Sequence, residues 1–297
     1  MSGERRQVLI VNPSSGGGRG KSLLPDAEAA LRASGIAFRT VITRSLDHGI
    51  EEALAAHEAG DLPVIMSGDG LIGHVGGALA GRDAAIGILP GGRGNDFARA
   101  IGIPTGVRDA VAVLAAGKER EIDVGEVDGR RFLGIASMGF DSEANRTANE
   151  ARIVRGNLVY AYAALRTLAR WKPATFTVSA DGAAPVSFSG YAVAVANGKA
   201  YGGGMFIAPD AELDDGLFDV VTTAHTGKVR FLTSLPDVFK GTHVEHDEVE
   251  VVRAATVEVG ADRAFPVYAD GEHVSDLPAL LRVLPRALRV IAPPATP

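Results

Sequence analysis

The residues best suited to chemistry lie in Pro63–Ala80, PVIMSGDGLIGHVGGALA. An apolar run, Val64-Ile65-Met66, leads into a turn of small residues, Ser67-Gly68-Asp69-Gly70. The segment Ile72 to Ala80 after it reads as a helix. In such a strand–loop–helix unit the loop amides and the first helical N–H groups lack internal partners, and the helix dipole turns its positive end the same way. Glycines let the backbone approach a ligand closely. The unit is a phosphate cradle with one carboxylate, Asp69, among its amides. An acid there suits a Mg2+ ion or the orientation of a nucleotide; packing gives it no role.

A parallel sheet would position that cradle. Gln7–Asn12 reads as a first strand, followed by Pro13-Ser14-Ser15-Gly16-Gly17-Gly18-Arg19-Gly20-Lys21-Ser22. That loop nearly matches a Walker A sequence, but Ser15 stands where the leading glycine belongs. Leu23–Ser34 has helical spacing, Ile36–Ile42 reads as a second strand and Ile50–Ala59 as a helix. Pro63–Met66 is the third strand. Ala85–Leu89 is the fourth, running into Pro90–Gly94 and a helix that Asn95 or Asp96 can cap; Asp109–Ala116 is a further helix. Strands alternating with helices predict a doubly wound, Rossmann-like sheet, which gathers the glycine loops on one edge where ligands bind.

After Gly117 the period changes. Asp128-Gly129 sits between Glu121–Asp128 and Arg131–Ser137, and Asp181-Gly182 between Thr175–Ala180 and Pro185–Ser189, which are hairpin signals. Tyr191–Ala196, Leu217–Thr223, Glu248–Arg253, Thr256–Gly260 and Phe265–Ala269 also read as strands. The expected organisation is an α/β domain over residues 1–120 and an antiparallel β-sandwich over 121–280, with 281–297 returning to the first.

The 297 residues carry 46% hydrophobic and 22% charged side chains, which is globular composition. A net charge of −6 argues against general nucleic-acid binding. With no cysteine, disulfides, thiolate metal sites and cysteine nucleophiles are excluded. No apolar run spans a bilayer and MSGERRQVLIVN lacks a signal-peptide core, so a cytoplasmic protein, at most peripheral at the inner face of the membrane, is expected. Arg146–Lys172 holds six basic residues against Glu150, and Asn157–Trp171 reads as an amphipathic helix that suits an anionic membrane or packs on the β domain. His243 and His246 look like metal ligands, although a polar loop is the simpler reading.

Several blocks together resemble bacterial soluble lipid kinases of the diacylglycerol kinase catalytic-domain type, related to sphingosine kinases and NAD kinases. They are Asn12-Pro13-Ser14-Ser15-Gly16, Ser67-Gly68-Asp69-Gly70, Pro90-Gly91-Gly92-Arg93-Gly94-Asn95-Asp96-Phe97-Ala98-Arg99, Ile122-Asp123-Val124-Gly125, Ala208–Asp219 and Ala269-Asp270-Gly271-Glu272, in the family's order. The resemblance implies that Asn12, Pro13, Ser14, Ser15, Gly16, Thr43, the loop Ser67, Gly68, Asp69, Gly70, Leu71, Ile72, Gly73 and the loop Gly92, Arg93, Gly94, Asn95, Asp96 hold ATP. It implies further that Asp69 serves the Mg2+–nucleotide arrangement, that Glu272 is the general base on a lipid hydroxyl, and that Glu212, Asp215 and Leu217 hold a structural Mg2+.

Three departures stand out. Leu71 and Arg93 occupy positions where the family has threonine, and Ser67 replaces the motif's first glycine. A guanidinium at position 93 can bind phosphate bidentately in place of the lost hydroxyl. The competing readings are an NAD kinase-like phosphotransferase, a dinucleotide-binding oxidoreductase on Gly68-x-Gly70-x-x-Gly73, and a non-catalytic lipid- or nucleotide-sensing relative. The lipid and the oligomeric state, with a homodimer left open, are not legible.

Overall fold

A computed structural model describes residues 5–150 and 158–294. Strands β1 (Gln7–Val11), β2 (Phe38–Ile42), β3 (Leu62–Ser67) and β4 (Ala85–Pro90) run parallel in the order β4-β3-β1-β2. Every residue of β1, β3 and β4 is buried. Helices cover both faces, which is why these segments read as continuous apolar runs rather than as alternation. The edge strand β2 is only half-buried.

Helices α1 (Ser15–Ala33), α2 (Leu46–Glu58), α3 (Asp69–Leu79), α4 (Asp96–Ala100) and α5 (Val107–Ala116) connect and cover these strands. Of these, α1 and α2 begin furthest ahead of where their apolar spacing indicates. The start of α1 is kinked by Gly16, Gly17 and Gly18, whose φ values of 61°, 75° and 100° lie in the region that favours glycine. The start of α2 is fixed by Ser45, whose side chain accepts the His48 N–H at 3.1 Å.

The second half is an antiparallel β-sandwich. It comprises β5 (Glu119–Val127), β6 (Arg130–Phe132), β7 (Ile135–Gly139), α6 (Phe140–Glu150), α7 (Leu158–Arg170), β8 (Ala174–Ala180), β9 (Val186–Ala196), β10 (Phe218–Ala224), α8 (Lys228–Val238), β11 (Val249–Ala254), β12 (Thr256–Ala261), β13 (Pro266–Ala269), β14 (Glu272–Asp276) and β15 (Ala279–Ile291). The Asp128-Gly129 turn closes the β5–β6 hairpin, with φ of 48° and 76° at its two residues. The expected strand Arg131–Ser137 is instead two strands, β6 and β7. They separate because the N–H groups of Leu133 and Gly134 turn away to the Asp270 carboxylate. Pro185–Ser189 and Tyr191–Ala196 merge into β9, and α6 and α8 carry no signal in the sequence strong enough to have placed them.

Strand β15 joins the halves. Its first part pairs antiparallel with β12 and β5, and its end pairs parallel with β4 through Arg289↔Ala85 and Val290↔Ile86. Leu281 and Val283 enter the core of the β half, whereas Leu288 and Val290 enter the core of the α/β half. His243 lies in a 3-10 helix, Thr242–Glu245, where its buried Nε2 meets the Ile207 carbonyl at 3.2 Å; burial pushes the imidazole down. No cluster of three or more metal-ligating side chains occurs among the described residues.

Candidate active site

Three glycine loops meet at the carboxyl ends of β1, β3 and β4. Ser15 Oγ donates to the Gly91 carbonyl at 3.1 Å, and the Gly91 N–H donates to the Ser67 carbonyl at 2.8 Å. A Cβ on Gly16 would lie 2.9 Å from the Gly91 carbonyl oxygen, and a Cβ on Gly92 would lie 2.5 Å from Gly68 Cα. Glycine is required at both places because backbone touches backbone. Asn12 Oδ1 accepts the Ser14 N–H across Pro13 at 3.1 Å, and Thr43 closes β2 by donating its N–H to the Val11 carbonyl at 2.8 Å. The expected nucleotide residues therefore converge, but the side chains of Leu71 and Ile72 are in the core. Leu71 packs on Gly49, where a Cβ would meet its Cδ1 at 2.8 Å. Arg93 is exposed and reaches over the first loop, its Nη2 lying 3.0 Å from where a Gly17 Cβ would sit.

Neither Asn95 nor Asp96 caps α4. Asn95 is left-handed, with φ of 52°, and its amide is spent on Gly92, accepting the N–H at 2.8 Å and donating to the carbonyl at 3.1 Å. Asp69 takes the capping role instead, its Oδ1 accepting the Phe97 N–H at 3.0 Å. Asp96 Oδ2 accepts the Gly203 N–H at 2.7 Å, while its buried Oδ1 has no partner among the described residues. A Cβ on Gly94 would be 3.3 Å from Asp69 Oδ2 and 3.2 Å from Asp96 Oδ2. Burial raises the Asp96 carboxyl and the charge of Asp69 adds to this, while the Gly203 and Gly204 N–H groups and Arg99 oppose it. Two carboxylates around one point, one with an orphaned buried oxygen, form a donor set that fits a divalent cation.

Asp270 and His74 are site residues that sequence reasoning missed. Asp270 accepts the N–H groups of Leu133 at 2.8 Å, Gly134 at 2.9 Å and Ile135 at 3.2 Å. Burial holds its carboxyl up, these three donors pull it down, and Asp69 adds to the rise. Its Oδ2 lies 3.2 Å from where a Gly73 Cβ would be, so the absent side chain at 73 lets α3 approach this turn. Two residues on, Glu272 Oε2 meets His74 Nε2 at 3.0 Å, and His74 Nδ1 contacts the Gly70 carbonyl at 2.9 Å. Gly70, Gly73, His74, Asp270 and Glu272 share the wall of a cleft of about 270 Å³ between α3 and the β half. The Asp-Gly-Glu turn was visible in the sequence; which of its acids would be buried was not.

The expected Mg2+ turn is differently engaged. Asp215 Oδ1 accepts the Leu217 N–H at 2.9 Å and Oδ2 pairs with Arg253. Asp214 pairs with Arg120 at 3.0 Å, and Gly216 donates to Asp123 at 2.6 Å. Glu212 is exposed and its charge helps to raise the carboxyl of Asp219, after burial and Asp210. The buried Asp215 Oδ2 accepts no hydrogen bond among the described residues and has the Arg253 guanidinium beside it.

Arg146, Arg166, Arg170, Lys172 and Arg263 line a second cavity, of about 570 Å³. Arg263 sits over Trp171 at 5.4 Å and Phe265 at 4.8 Å. Trp171 and Leu168 are buried, the tryptophan against Phe140, Tyr191 and Phe265, so the aromatic expected at a membrane belongs to the core. Tyr162 and Leu165 are exposed. Arg152 and Arg155 lie outside the described residues.

Residues 6–127 match the diacylglycerol kinase catalytic domain, and residues 134–292 match the YegS C-terminal NAD kinase beta sandwich-like domain. The chain is 35% identical over 294 residues to a diacylglycerol kinase of Mycobacterium tuberculosis, covering 96% of this chain and 94% of that protein. It is 28% identical to a diacylglycerol kinase of Staphylococcus aureus, over 97% and 93% of the two chains. Among solved structures, a diacylglycerol kinase from Bacillus anthracis str. Sterne superposes with a TM-score of 0.75 at 19% identity, covering 98% of this chain and 97% of that one. An NAD kinase from Archaeoglobus fulgidus in complex with ATP superposes with a TM-score of 0.51 at 13% identity, over 96% and 93%. At these identities the two structures bear on fold alone.

Proposed function

The chain belongs to the diacylglycerol kinase family, and we propose that it transfers the terminal phosphoryl group of ATP to the hydroxyl of diacylglycerol or a related lipid alcohol. The observation that carries this reading is the meeting of three glycine loops beside the Asp69–Asp96 pair, with Glu272 on the adjoining cleft. Phosphoryl transfer needs positioning, charge neutralisation and a group that takes the hydroxyl proton. The loop amides bind and orient the phosphates, and Arg93 adds a guanidinium from the loop after β4. Asp69 and Asp96 would hold Mg2+, which supplies neutralisation of the phosphate charge. Glu272 receives the proton of the lipid hydroxyl as the O–H bond breaks, leaving the oxygen's electron pair to attack phosphorus.

Membrane access belongs to the same proposal. No helix among the described residues is long and apolar enough to cross a membrane. A lipid substrate is then met at the bilayer surface, and the basic cavity beside α7, with exposed Tyr162 and Leu165, is the surface that docks on anionic lipid.

The test is Mg2+-dependent ATP consumption against diacylglycerol, sphingosine, ceramide and NAD, with wild type and Glu272→Ala. Phosphorylated lipid that disappears in the variant supports the reading. Phosphorylated NAD in its place would make the protein an NAD kinase-like phosphotransferase.

A further inference from the structure

The proton inventory at His74 is decided by its partners. A carbonyl oxygen only accepts, so the 2.9 Å contact with Gly70 makes Nδ1 the N–H nitrogen. In the neutral ring Nε2 would then present a lone pair to Glu272 Oε2, 3.0 Å away. With Nε2 protonated as well, the ring is an imidazolium at ion-pair distance from an ionised carboxylate, and Oε2 is the oxygen it engages. Oε1 has no hydrogen-bond partner among the described residues and remains open to solvent and substrate.

We propose that His74 is the positioning residue of the phosphoryl transfer: it anchors Glu272 Oε2 to the first turn of α3 and leaves Oε1 as the oxygen that takes the substrate proton. The proposal rests on the lipid kinase reading. It also explains the route of the contact. The imidazole is tied to the Gly70 carbonyl within the phosphate cradle, so a group on the β half is set in register with the loop on the α/β half. During transfer the hydroxyl O–H bond breaks, its proton passes to Oε1, and the oxygen's electron pair forms the bond to phosphorus while the bond to the departing ADP breaks.

The other charged groups around the cleft have partners of their own. Arg131 donates to the Gly77 and Ala80 carbonyls at 3.1 and 2.7 Å and pairs with Glu126 at 3.6 Å. His273 meets Asp276 at 3.2 Å, and Asp270 is taken by three backbone N–H groups. Arg130 lines the cleft as an exposed residue without an ion pair among the described residues. Of the described side chains, only that of His74 bonds or pairs with Glu272.

The experiment has two arms, both on the full chain. In the first, long-range proton–nitrogen spectra of 15N-histidine-labelled protein are recorded for wild type and Glu272→Gln, with His74 assigned by its loss in His74→Gln. The His74 Nε2 resonance should move in Glu272→Gln while Nδ1 holds its place. An unchanged Nε2 resonance overturns the contact, whatever the protein phosphorylates. In the second, lipid phosphorylation is measured. His74→Ala should lower kcat by about tenfold or more while leaving the KM for ATP within about twofold. His74→Gln, whose amide nitrogen reaches the place of Nε2, should recover most of that loss. Wild-type kcat in His74→Ala, or equal losses in the two variants, would overturn the positioning role. Should wild type phosphorylate no lipid, the functional reading fails on its own, and the spectral arm still decides whether the ring holds the carboxylate.

Discussion

Asp69 Oδ1 accepts the Phe97 N–H at 3.0 Å, so the acid of one glycine loop caps the helix that follows another. Its second oxygen faces the point over Gly94 that Asp96 also faces. One carboxylate thus does a structural task with one oxygen and leaves the other facing the point where the cation is proposed. Asp69→Asn can keep the first task, because the amide oxygen still accepts from Phe97, but it discards the charge. The variant should melt within a few degrees of wild type and lose about 100-fold or more in kcat. Asp69→Ala should cost about 1 kcal/mol of stability as well. Thermal melts paired with steady-state kinetics separate the two outcomes.

Asp96 and Asp270, whose carboxyls are both raised, chiefly by burial, each add a pH dependence to stability whose sign follows from the direction of the shift. A raised acid keeps its proton in the folded chain where the unfolded chain has lost it. Stability from such a group is full below the ordinary aspartate range and is lost as pH rises through the raised folded value. Melts from mildly acidic to neutral pH should therefore slope less steeply downward in Asp96→Asn than in wild type. A cation bound at the pair reverses the penalty, so Mg2+ with nucleotide should raise the wild-type Tm near neutrality and have much less effect on Asp96→Asn.

Arg93 lies over the glycines that kink the start of α1. Arg93→Ala should raise the KM for ATP by about tenfold or more, and Arg93→Lys should recover only part of it, since an ammonium lacks the guanidinium's planar fork. Lipid KM should hold in both variants. An ATP KM equal to wild type in Arg93→Ala would remove this residue from nucleotide binding.

Leu71 invites the opposite kind of substitution. Restoring the family's threonine places a hydroxyl in an apolar setting against Gly49 and removes methyl groups from a filled core. Leu71→Thr should destabilise by about 2 kcal/mol and should not raise kcat. Denaturant titration gives the first number and the lipid assay the second.

Charge reversal at Arg166, Arg170 and Lys172 should abolish sedimentation with anionic vesicles at low salt, with no loss on a short-chain, water-dispersed diacylglycerol. These side chains line the basic cavity and take no part in the cleft of Glu272. Retained vesicle binding would assign them to packing alone.

The parallel sheet was legible in the sequence because β1, β3 and β4 are buried on both faces and so read as unbroken apolar runs between glycine loops. Glu272 was legible only through the family's closing Asp-Gly-Glu block, not through its spacing. What stayed hidden was side-chain direction and long-range pairing. Nothing local tells that Asp69 will cap a helix 28 residues away, or that Asn95 turns back on Gly92. Trp171 misled for a related reason. Its position at the end of a basic amphipathic segment is the same whether the ring faces lipid or, as found, stacks on Tyr191. Asp270 and His74 became visible only once α3 and the β13–β14 turn were brought together.

Strand β15 is translated after every other described element, yet its end supplies a neighbour to β4. Until it arrives, β4 has an open edge with unpaired backbone groups. During synthesis the nucleotide half therefore keeps that edge open until the β half has been made. A fragment ending near residue 127 should expose that edge and self-associate, and co-expressing the remainder as a separate polypeptide should rescue its solubility.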